Sequence, residues 1–253
     1  METEASADVY VVILAAGKGV RMKSPFPKVL HLLRGKPLLQ HVLEATEGLG
    51  RRFVIVGHMK EEIEKILPPG TESVWQKEQL GSGHALLQTE SSIAVSRGPL
   101  LVLCGDVPFI RKATLTSLLA VHMKNNPFAT LLTCRVRNPR GYGRIVEIDG
   151  KVTGIREEKD ASEEEKKIPK INTGIYAFRI EGLFDYLRKI PRNPLKGEYY
   201  LTDVIEIAMK KGEKIGEFLL KDEKEILGVN TKEELEAMEK RPEEEGRSAD
   251  SLK

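Results

Sequence analysis

Two cations and two glycines near the start of this chain are spaced as phosphate-binding groups would need to be. Gly17 and Gly19 follow an apolar, β-branched run at residues 9–13, and glycines after a strand let backbone N–H groups approach an anion closely. Arg21 and Lys28 add two positive charges in the same stretch. A buried strand, a glycine turn and two well-separated cations suit a triphosphate better than a single phosphate.

Two other interpretations of this stretch compete with a triphosphate site. A glycine turn after a strand is often only a turn. A Gly-x-Gly pair also occurs in dinucleotide-binding folds, but that fingerprint needs a third small residue, and Met22 stands in its place. The next predicted strand, residues 52–57, lacks a clear acidic residue at its end to bind a ribose. The residues therefore argue against a dinucleotide-dependent oxidoreductase.

Two oxygen-bearing side chains follow predicted strands further along the chain. Asp106 comes directly after the apolar run at residues 100–104, where a carboxylate at the end of a parallel strand points into the ligand crevice. Asn230 ends a short strand predicted at residues 225–229. Carboxylate and amide oxygens are ligands that Mg²⁺ accepts together with phosphate oxygens. Taken alone, Asp106 also fits an Asx turn or a helix N-cap, and Asn230 a helix cap.

A polar glycine segment, QKEQLGSGHA at residues 76–85, follows the third predicted strand. Gln76 offers both a donor and an acceptor, which the edge of a nucleobase can use together. Gly81 allows the backbone to reach a base, and Ser82 can both bind a ligand and cap the following helix. The alternative is a helix cap that binds no ligand.

Four separate places carry groups that could contact a sugar. Gly143 lies where backbone could face a sugar, Glu157 could bind hydroxyl groups, and Asn172 presents an amide from a strand. Tyr200 and Thr202 add an aromatic ring and a hydroxyl. Each place also has a purely structural interpretation: a hairpin turn, a solvated charge run, a polar residue at a strand edge and a helix cap.

The elements that would position these groups alternate between apolar strands and helices. This alternation predicts an α/β fold with a Rossmann-like mixed, mostly parallel sheet flanked by helices. Asp149-Gly150 predicts a two-residue hairpin turn, and the charged run 157–167 predicts an exposed loop or a short helix. A helix is expected over 82–93. Thr231 and Glu234 predict a capping box at the start of the last helix.

Two segments then resemble a known family. LAAGKGVRM at residues 14–22, followed by PKVL at 27–30, is similar to the signature of the sugar-nucleotide pyrophosphorylases. The continuation through residues 29–31 and 35–38 looks most like the N-terminal uridylyltransferase domain of the bifunctional bacterial enzymes that make UDP-N-acetylglucosamine. The resemblance covers about residues 9–235 and implies the nucleotide-diphospho-sugar transferase fold.

The resemblance also implies roles for individual residues. The implied catalytic residues are Arg21, Lys28 and Asp106. The implied ligands of Mg²⁺ are Asp106 and Asn230. The implied nucleotide-binding residues are Leu14, Ala15, Ala16, Gly17, Gly19, Gln76, Gly81, Ser82 and Gly105. The implied sugar-binding residues are Gly143, Glu157, Asn172, Tyr200 and Thr202.

The activity implied by the resemblance is uridylyl transfer. UTP and N-acetylglucosamine-1-phosphate would give UDP-N-acetylglucosamine and pyrophosphate by direct, Mg²⁺-dependent attack on the α-phosphorus. One alternative is the same chemistry on another sugar-1-phosphate or with another nucleotide. Another is a nucleotide-sugar-binding module that has lost catalysis. Retention of Arg21, Lys28, Asp106 and Asn230 argues against such a silent module.

Length and composition fit one large mixed domain. The chain has 253 residues, of which 40% are hydrophobic and 31% charged. We expect a nucleotidyltransferase domain over 1–240. Its nucleotide-binding part would lie at about 9–110 and its sugar-binding part at about 111–235. A disordered tail would follow at 241–253.

Charge and cysteine content restrict the partners and the compartment. A net charge of +2 gives no reason to expect a nucleic acid or a membrane as a partner. Cys104 and Cys134 lie in apolar runs and predict buried free thiols in a reducing compartment. With no membrane-length apolar run and no signal-peptide core, the expected location is the cytoplasm. Because the trimerising β-helix domain of the family is missing here, we expect a monomer.

Overall fold

A computed structural model describes residues 8–93, 97–194 and 196–241. The tail predicted to be disordered, residues 241–253, lies outside these ranges except for its first residue. In the three ranges, no helix is both long enough and apolar enough to cross a membrane.

The described chain forms eleven strands and seven α-helices. The strands are β1 (Tyr10–Leu14), β2 (Leu32–Leu33), β3 (Lys36–Pro37), β4 (Arg51–Val56), β5 (Thr71–Trp75), β6 (Pro99–Cys104), β7 (Ala129–Arg135), β8 (Gly143–Ile148), β9 (Lys151–Arg156), β10 (Lys170–Arg179) and β11 (Ile215–Leu220). The α-helices are α1 (Leu38–Ala45), α2 (Lys60–Glu64), α3 (Ser82–Leu87), α4 (Lys112–Asn125), α5 (Leu183–Leu187), α6 (Asp203–Lys210) and α7 (Lys232–Glu239). Short 3-10 helices lie at Val20–Met22, Lys28–Leu30, Glu165–Lys167 and Glu223–Ile226.

Nine of the strands form one mixed sheet. The strand order is β11-β7-β10-β6-β1-β4-β5, and the β8–β9 hairpin attaches to β10. Strands β6, β1, β4 and β5 run parallel to one another, as do β7 and β11, whereas β10 is antiparallel to its neighbours. The predicted mixed sheet flanked by helices is confirmed.

The central strand β1 is buried on both faces, which explains its unbroken apolar sequence. Tyr10 and Val12 pack into the apolar cluster on one face of the sheet. Val11 and Ile13 pack into the cluster on the other face. All four are at most 2% exposed, and burying such a side chain contributes about 2 kcal/mol. The strand is therefore a rigid support for the segment that leaves its carboxyl end.

The strand predicted at residues 225–229 is wrong, because Glu223–Ile226 is a 3-10 helix. Glu225 is 4% exposed. Its carboxylate accepts hydrogen bonds from the Arg111 backbone N–H and the Thr114 hydroxyl, at the start of α4. The alternating pattern that suggested a strand did not predict that this carboxylate is buried.

The structure also decides two local predictions, the length of one helix and the position of one hairpin turn. The helix predicted over 82–93 ends early, at Leu87. The backbone then tightens into turns, with the Thr89 hydroxyl donating to the Leu86 carbonyl at 2.7 Å. The predicted hairpin turn is confirmed, since Asp149 and Gly150 take φ values of 50° and 72° between β8 and β9.

The charged run at residues 157–167 is only partly exposed, which corrects the predicted solvated loop. Arg144 on β8 is 1% exposed and forms an ion pair with Glu158 at 2.6 Å. It also donates to the Lys166 carbonyl at 3.2 Å. The predicted short helix exists as the 3-10 helix at Glu165–Lys167. The run is therefore tied to the sheet through one buried guanidinium.

Candidate active site

The carboxyl ends of β1, β4 and β6 meet at one edge of the sheet. Beyond the strands, the ladder continues for one residue. The Ala15 N–H donates to the Ile55 carbonyl at 2.9 Å, and the Gly105 N–H donates to the Leu14 carbonyl at 3.0 Å. The glycine loop, residues 15–20, therefore starts beside Gly105 and Asp106.

The glycine loop presents backbone donors. In the part of the chain that the structure describes, the N–H groups of residues 16–21 donate to no protein acceptor. Gly19 has a φ of 61°, and a Cβ there would lie 2.7 Å from the Cβ of Lys28. The loop can therefore offer several N–H groups to an anion, and Gly19 lets it pack closely on Lys28.

Four of the predicted residues converge next to this loop. Lys28 Nζ forms an ion pair with Asp106 Oδ2 and donates to Asn230 Oδ1 at 3.0 Å. Arg21 Nη2 donates to the same Asn230 oxygen at 2.8 Å. The side chains of Lys28 and Asp106 are 17% and 15% exposed, respectively. Two cations, a carboxylate and an amide thus meet at a site that solvent can reach.

Asn230 reaches this site from the far end of the chain. The Val229 N–H donates to the Asp106 carbonyl at 3.0 Å, which fixes the backbone next to Asn230. The predicted capping box is confirmed: Thr231 accepts from the Glu234 N–H, and the Glu234 carboxylate accepts from the Thr231 N–H. Thr231, not Asn230, caps α7, so the Asn230 side chain is left for the site.

A cavity of about 160 Å³ lies at the carboxyl ends of β1 and β6, next to β10. Its lining residues are Leu14, Ser82, Cys104, Glu157, Asn172, Gly174, Tyr176, Tyr200, Leu201 and Thr202. Glu157 Oε1 accepts a hydrogen bond from the Thr202 hydroxyl at 3.0 Å. Asn172 Nδ2 contacts the Tyr176 hydroxyl at 2.7 Å. Four of the five predicted sugar-binding residues therefore line one cavity.

Ionisable groups in the cavity are shifted towards their neutral forms. Burial raises the pKa of Glu157, although the hydrogen bond from Thr202 opposes the shift. Burial likewise raises the pKa of Tyr176 and that of Tyr200. The pKa of the Cys104 thiol rises to about 12, mainly through burial and then through the charge of Asp106. The cavity is thus poor in charge compared with the site beside it.

Residues 76–84, which we name the base loop after the nucleotide-binding role that the resemblance implies, contribute Ser82 to one side of the cavity. Gln76 is 3% exposed, and its Nε2 donates to the Gly81 carbonyl at 3.1 Å. A Cβ on Gly81 would lie 2.6 Å from the Tyr199 carbonyl oxygen. The Ser82 hydroxyl does not cap α3, as the sequence suggested it could, because it accepts the Leu201 N–H at 3.0 Å. The base loop is therefore held against the cavity wall by this hydrogen bond and by the close packing of Gly81 on Tyr199.

The remaining predicted residues occupy different positions. Ala15 and Ala16 form the buried start of the glycine loop, and Gly17 is exposed with open space around it. Gly143 does not line the cavity but pairs with Asn172 across β8 and β10. The main omission is Tyr176, which lines the cavity but is absent from the predicted sugar-binding residues.

A second cavity of about 290 Å³ lies beside Arg21. It is lined by Arg21, Met22, Lys23, Thr231, Lys232 and Glu233. Met22 is buried in a small apolar cluster with Val229 and Met238, so this wall joins the glycine loop to α7.

Comparison with known proteins identifies relatives in sequence. The family model for the MobA-like NTP transferase domain matches residues 11–146. The bifunctional protein GlmU of Streptococcus mutans is 45% identical over 234 residues, which cover 91% of this chain and 51% of that protein. GlmU of Streptococcus suis is 45% identical over 224 residues, covering 87% and 49%. The chain thus spans about half the length of these relatives.

Comparison of structures identifies the same fold in distant proteins. A UDP-glucose pyrophosphorylase complexed with UDP-glucose superposes with a TM-score of 0.72 at 18% identity, covering 92% of this chain and 97% of that one. The inositol-1-phosphate CTP transferase of T. maritima gives 0.71 at 15% identity, covering 92% and 96%. The fold is that of the nucleotide-diphospho-sugar transferases, and with a family model matching more than half of its length, this chain belongs to the MobA-like NTP transferase domain family.

Proposed function

We propose that this chain transfers the uridylyl group of UTP to N-acetylglucosamine-1-phosphate and releases pyrophosphate, with Mg²⁺ as cofactor. The observation that carries the proposal is the convergence of Arg21, Lys28, Asp106 and Asn230 between the glycine loop and the cavity. The similarity to GlmU over 91% of the chain supports the choice of substrates.

The main task for such an enzyme is to bring two polyanions together. Two unit charges about 4 Å apart interact by roughly 4 kcal/mol at an effective dielectric constant near 20. Lys28, which forms an ion pair with Asp106, would bridge the α-phosphate and the incoming sugar phosphate. Arg21, more exposed, would hold the two phosphates that leave. The free N–H groups of residues 16–21 would bind the triphosphate oxygens.

The reaction we propose is a direct displacement. An anionic phosphate oxygen of the sugar-1-phosphate attacks the α-phosphorus and forms the new P–O bond. The bond from that phosphorus to the β-phosphate oxygen breaks, and the electron pair leaves with pyrophosphate. The attacking oxygen is already anionic, so no side chain must remove a proton. The protein contributes position and electrostatic stabilisation.

The residues present fit a magnesium ion. Asp106 and Asn230 already direct one oxygen each at a single cation, the ammonium of Lys28. Among residues 8–93, 97–194 and 196–241, no group of three or more His, Cys, Asp and Glu side chains could hold a metal. A carboxylate and an amide suit Mg²⁺, which keeps waters and binds phosphate oxygens. When bound, Mg²⁺ would neutralise charge on the reacting phosphates.

The acceptor would occupy the 160 Å³ cavity. Glu157 and Asn172 would contact hydroxyl and acetamido groups, with Tyr200 and Thr202 at the cavity wall. Gly143 would act through the backbone behind Asn172. We assign nucleotide binding mainly to residues 9–110 and sugar binding mainly to residues 111–235.

The experiment is a pyrophosphate-release assay with UTP, N-acetylglucosamine-1-phosphate and Mg²⁺. We expect turnover that stops with EDTA and returns with added Mg²⁺. Glucose-1-phosphate and the other nucleoside triphosphates, tested in the same assay, should be poorer substrates. No pyrophosphate from any pair, together with calorimetric binding of UDP-N-acetylglucosamine, would contradict the proposed catalysis.

A further inference from the structure

One imidazole in the base loop has no part in the proposed chemistry. His84 Nδ1 lies 3.0 Å from Gln76 Nε2, and the same amide nitrogen donates to the Gly81 carbonyl at 3.1 Å. The two amide protons of Gln76 thus have one acceptor each. His84 also lies near Tyr199, with ring centroids 6.3 Å apart.

The Gly81 carbonyl decides which way the Gln76 amide faces. A carbonyl oxygen only accepts hydrogen bonds, so a reversed amide would set two oxygens against each other. Gln76 is 3% exposed, yet its Oε1 has no protein donor in the described chain and is not enclosed. The Gly81 N–H likewise donates to no described acceptor. The base loop therefore offers one free acceptor and one free donor.

The imidazole can support this orientation in only one tautomer. A neutral imidazole accepts at one nitrogen, but amide nitrogens lie near both: Gln76 near Nδ1, and Gln88 3.2 Å from Nε2. Gln88 Nε2 also donates to the His84 carbonyl at 3.0 Å, and because Gln88 is half-buried, water can accept its other amide proton. Gln76 is 3% exposed and its amide nitrogen lies nearer to the ring, so its second amide proton depends on His84 Nδ1. His84 Nδ1 therefore accepts from Gln76, and Nε2 carries the hydrogen.

We propose that His84 is a positioning residue that makes the base loop select a pyrimidine with an imide edge. By holding Gln76 Nε2, it keeps Oε1 turned towards the base as an acceptor. Uracil and thymine present a ring N–H beside a carbonyl, which match Oε1 and the Gly81 N–H. Cytosine presents a ring nitrogen that accepts and an amine that donates, so it meets like groups at both positions. The inference rests on the proposed function only in placing the nucleobase at the base loop.

The test compares the affinities of UTP and CTP by calorimetry, without any need for turnover. His84→Leu keeps the shape of the side chain near Cγ but removes the acceptor. We expect the ratio of CTP Kd to UTP Kd to fall about tenfold. His84→Asn, whose amide oxygen can take the place of Nδ1, should keep most of the ratio. Gln88→Leu is the matched control and should leave the ratio within about twofold.

A second measurement uses the unmodified protein. Nitrogen chemical shifts of His84 should show Nδ1 without and Nε2 with a hydrogen. The inference is overturned by the opposite tautomer, by equal affinities of the wild type for UTP and CTP, or by an unchanged ratio in folded His84→Leu. If the wild type prefers UTP but transfers no uridylyl group, the proposed function fails while the inference stands.

Discussion

Around the glycine loop, charged side chains face both solvent and one another. Arg21 is exposed, and both Lys28 and Asp106 remain partly accessible. In the cavity, by contrast, Glu157 is held by a threonine hydroxyl and its pKa is raised by burial. The first region is ionic, whereas the second is built from hydrogen bonds.

This difference follows from what each region would bind. Phosphates are charged, so exposed cations attract them. Water that remains in such a site reduces the binding free energy only a little. A sugar is neutral and strongly hydrated, so it must exchange water for fixed hydrogen bonds in an enclosed space. Changes at the phosphate region should therefore act on kcat, and changes in the cavity on KM for the sugar phosphate alone.

The largest effect should come from the ionic region. We expect Lys28→Ala and Asp106→Ala each to lower kcat at least about 100-fold, because each removes a charge that acts in the transition state. KM for the sugar phosphate should change little in Asp106→Ala, whereas Lys28→Ala should raise it as well, because Lys28 also binds the incoming sugar phosphate. Steady-state kinetics in the pyrophosphate assay measure both values.

Lys65→Ala is the matched control for this experiment. Lys65 is exposed, is not one of the predicted site residues and forms an ion pair with Glu62 on α2, so its loss should leave kcat unchanged. Near-wild-type turnover in Lys28→Ala or Asp106→Ala would remove that residue from the mechanism and would leave the two regions without the expected contrast.

A smaller effect is expected from the cavity. Glu157→Gln keeps the shape and can still accept the Thr202 hydroxyl, but it loses the charge that strengthens hydrogen bonds from a sugar. We expect KM for the sugar phosphate to rise about tenfold, with KM for UTP unchanged. Glu163→Gln, in the same segment and highly exposed, is the control and should have no effect. Equal changes in both KM values would show that the two regions do not act separately.

The ionic region was predictable because its position follows from the topology of the sheet. Residues after the carboxyl ends of parallel strands meet at one edge, so Asp106 and the glycine loop could be placed together from the sequence. Asn230 was harder, since its predicted strand is absent. It reaches the site through one backbone hydrogen bond, from Val229 to Asp106, and through the cap of α7. Only the resemblance to the sugar-nucleotide pyrophosphorylases indicated its place.

The cavity was less predictable because it depends on an irregular strand. In β10 the pairing with β7 shifts register between Asn172 and Tyr176. Gly174 has a φ of 78° there and lies against Cys104. Asn172 and Tyr176 are four residues apart, so strand alternation alone puts them on one face of the sheet. The period-2 pattern does not reveal the bulge between them, which changes their pairing with β7. The sequence offered one signal, a glycine within an apolar strand, which often marks a bulge.

A pH series can sharpen the comparison. Because burial raises the pKa of Glu157, its carboxyl stays neutral up to a higher pH than the carboxyl of an ordinary glutamate does. The charged form binds sugar hydroxyls better, so kcat/KM for the sugar phosphate should rise with pH through that ionisation. Dividing by the value for Glu157→Gln at each pH cancels the ionisation of the substrate. We expect this quotient to grow a few-fold as the pH rises above the range in which an ordinary glutamate ionises. A flat quotient would show that the charge of Glu157 is not used.

The smallest effect concerns how firmly the ionic region must be held. Thr231→Ala removes the cap of α7 and should lower the free energy of unfolding by about 1 kcal/mol. We expect kcat to stay within about threefold, because the Val229 N–H still binds the Asp106 carbonyl and fixes Asn230. Urea denaturation and the pyrophosphate assay measure the two quantities.

Ser117→Ala, which removes an exposed hydroxyl on α4, is the control and should change stability by less than about 0.5 kcal/mol. A large loss of kcat at unchanged stability would mean that the Thr231 hydroxyl contacts substrate, and the ionic region would then extend into the second cavity beside Arg21.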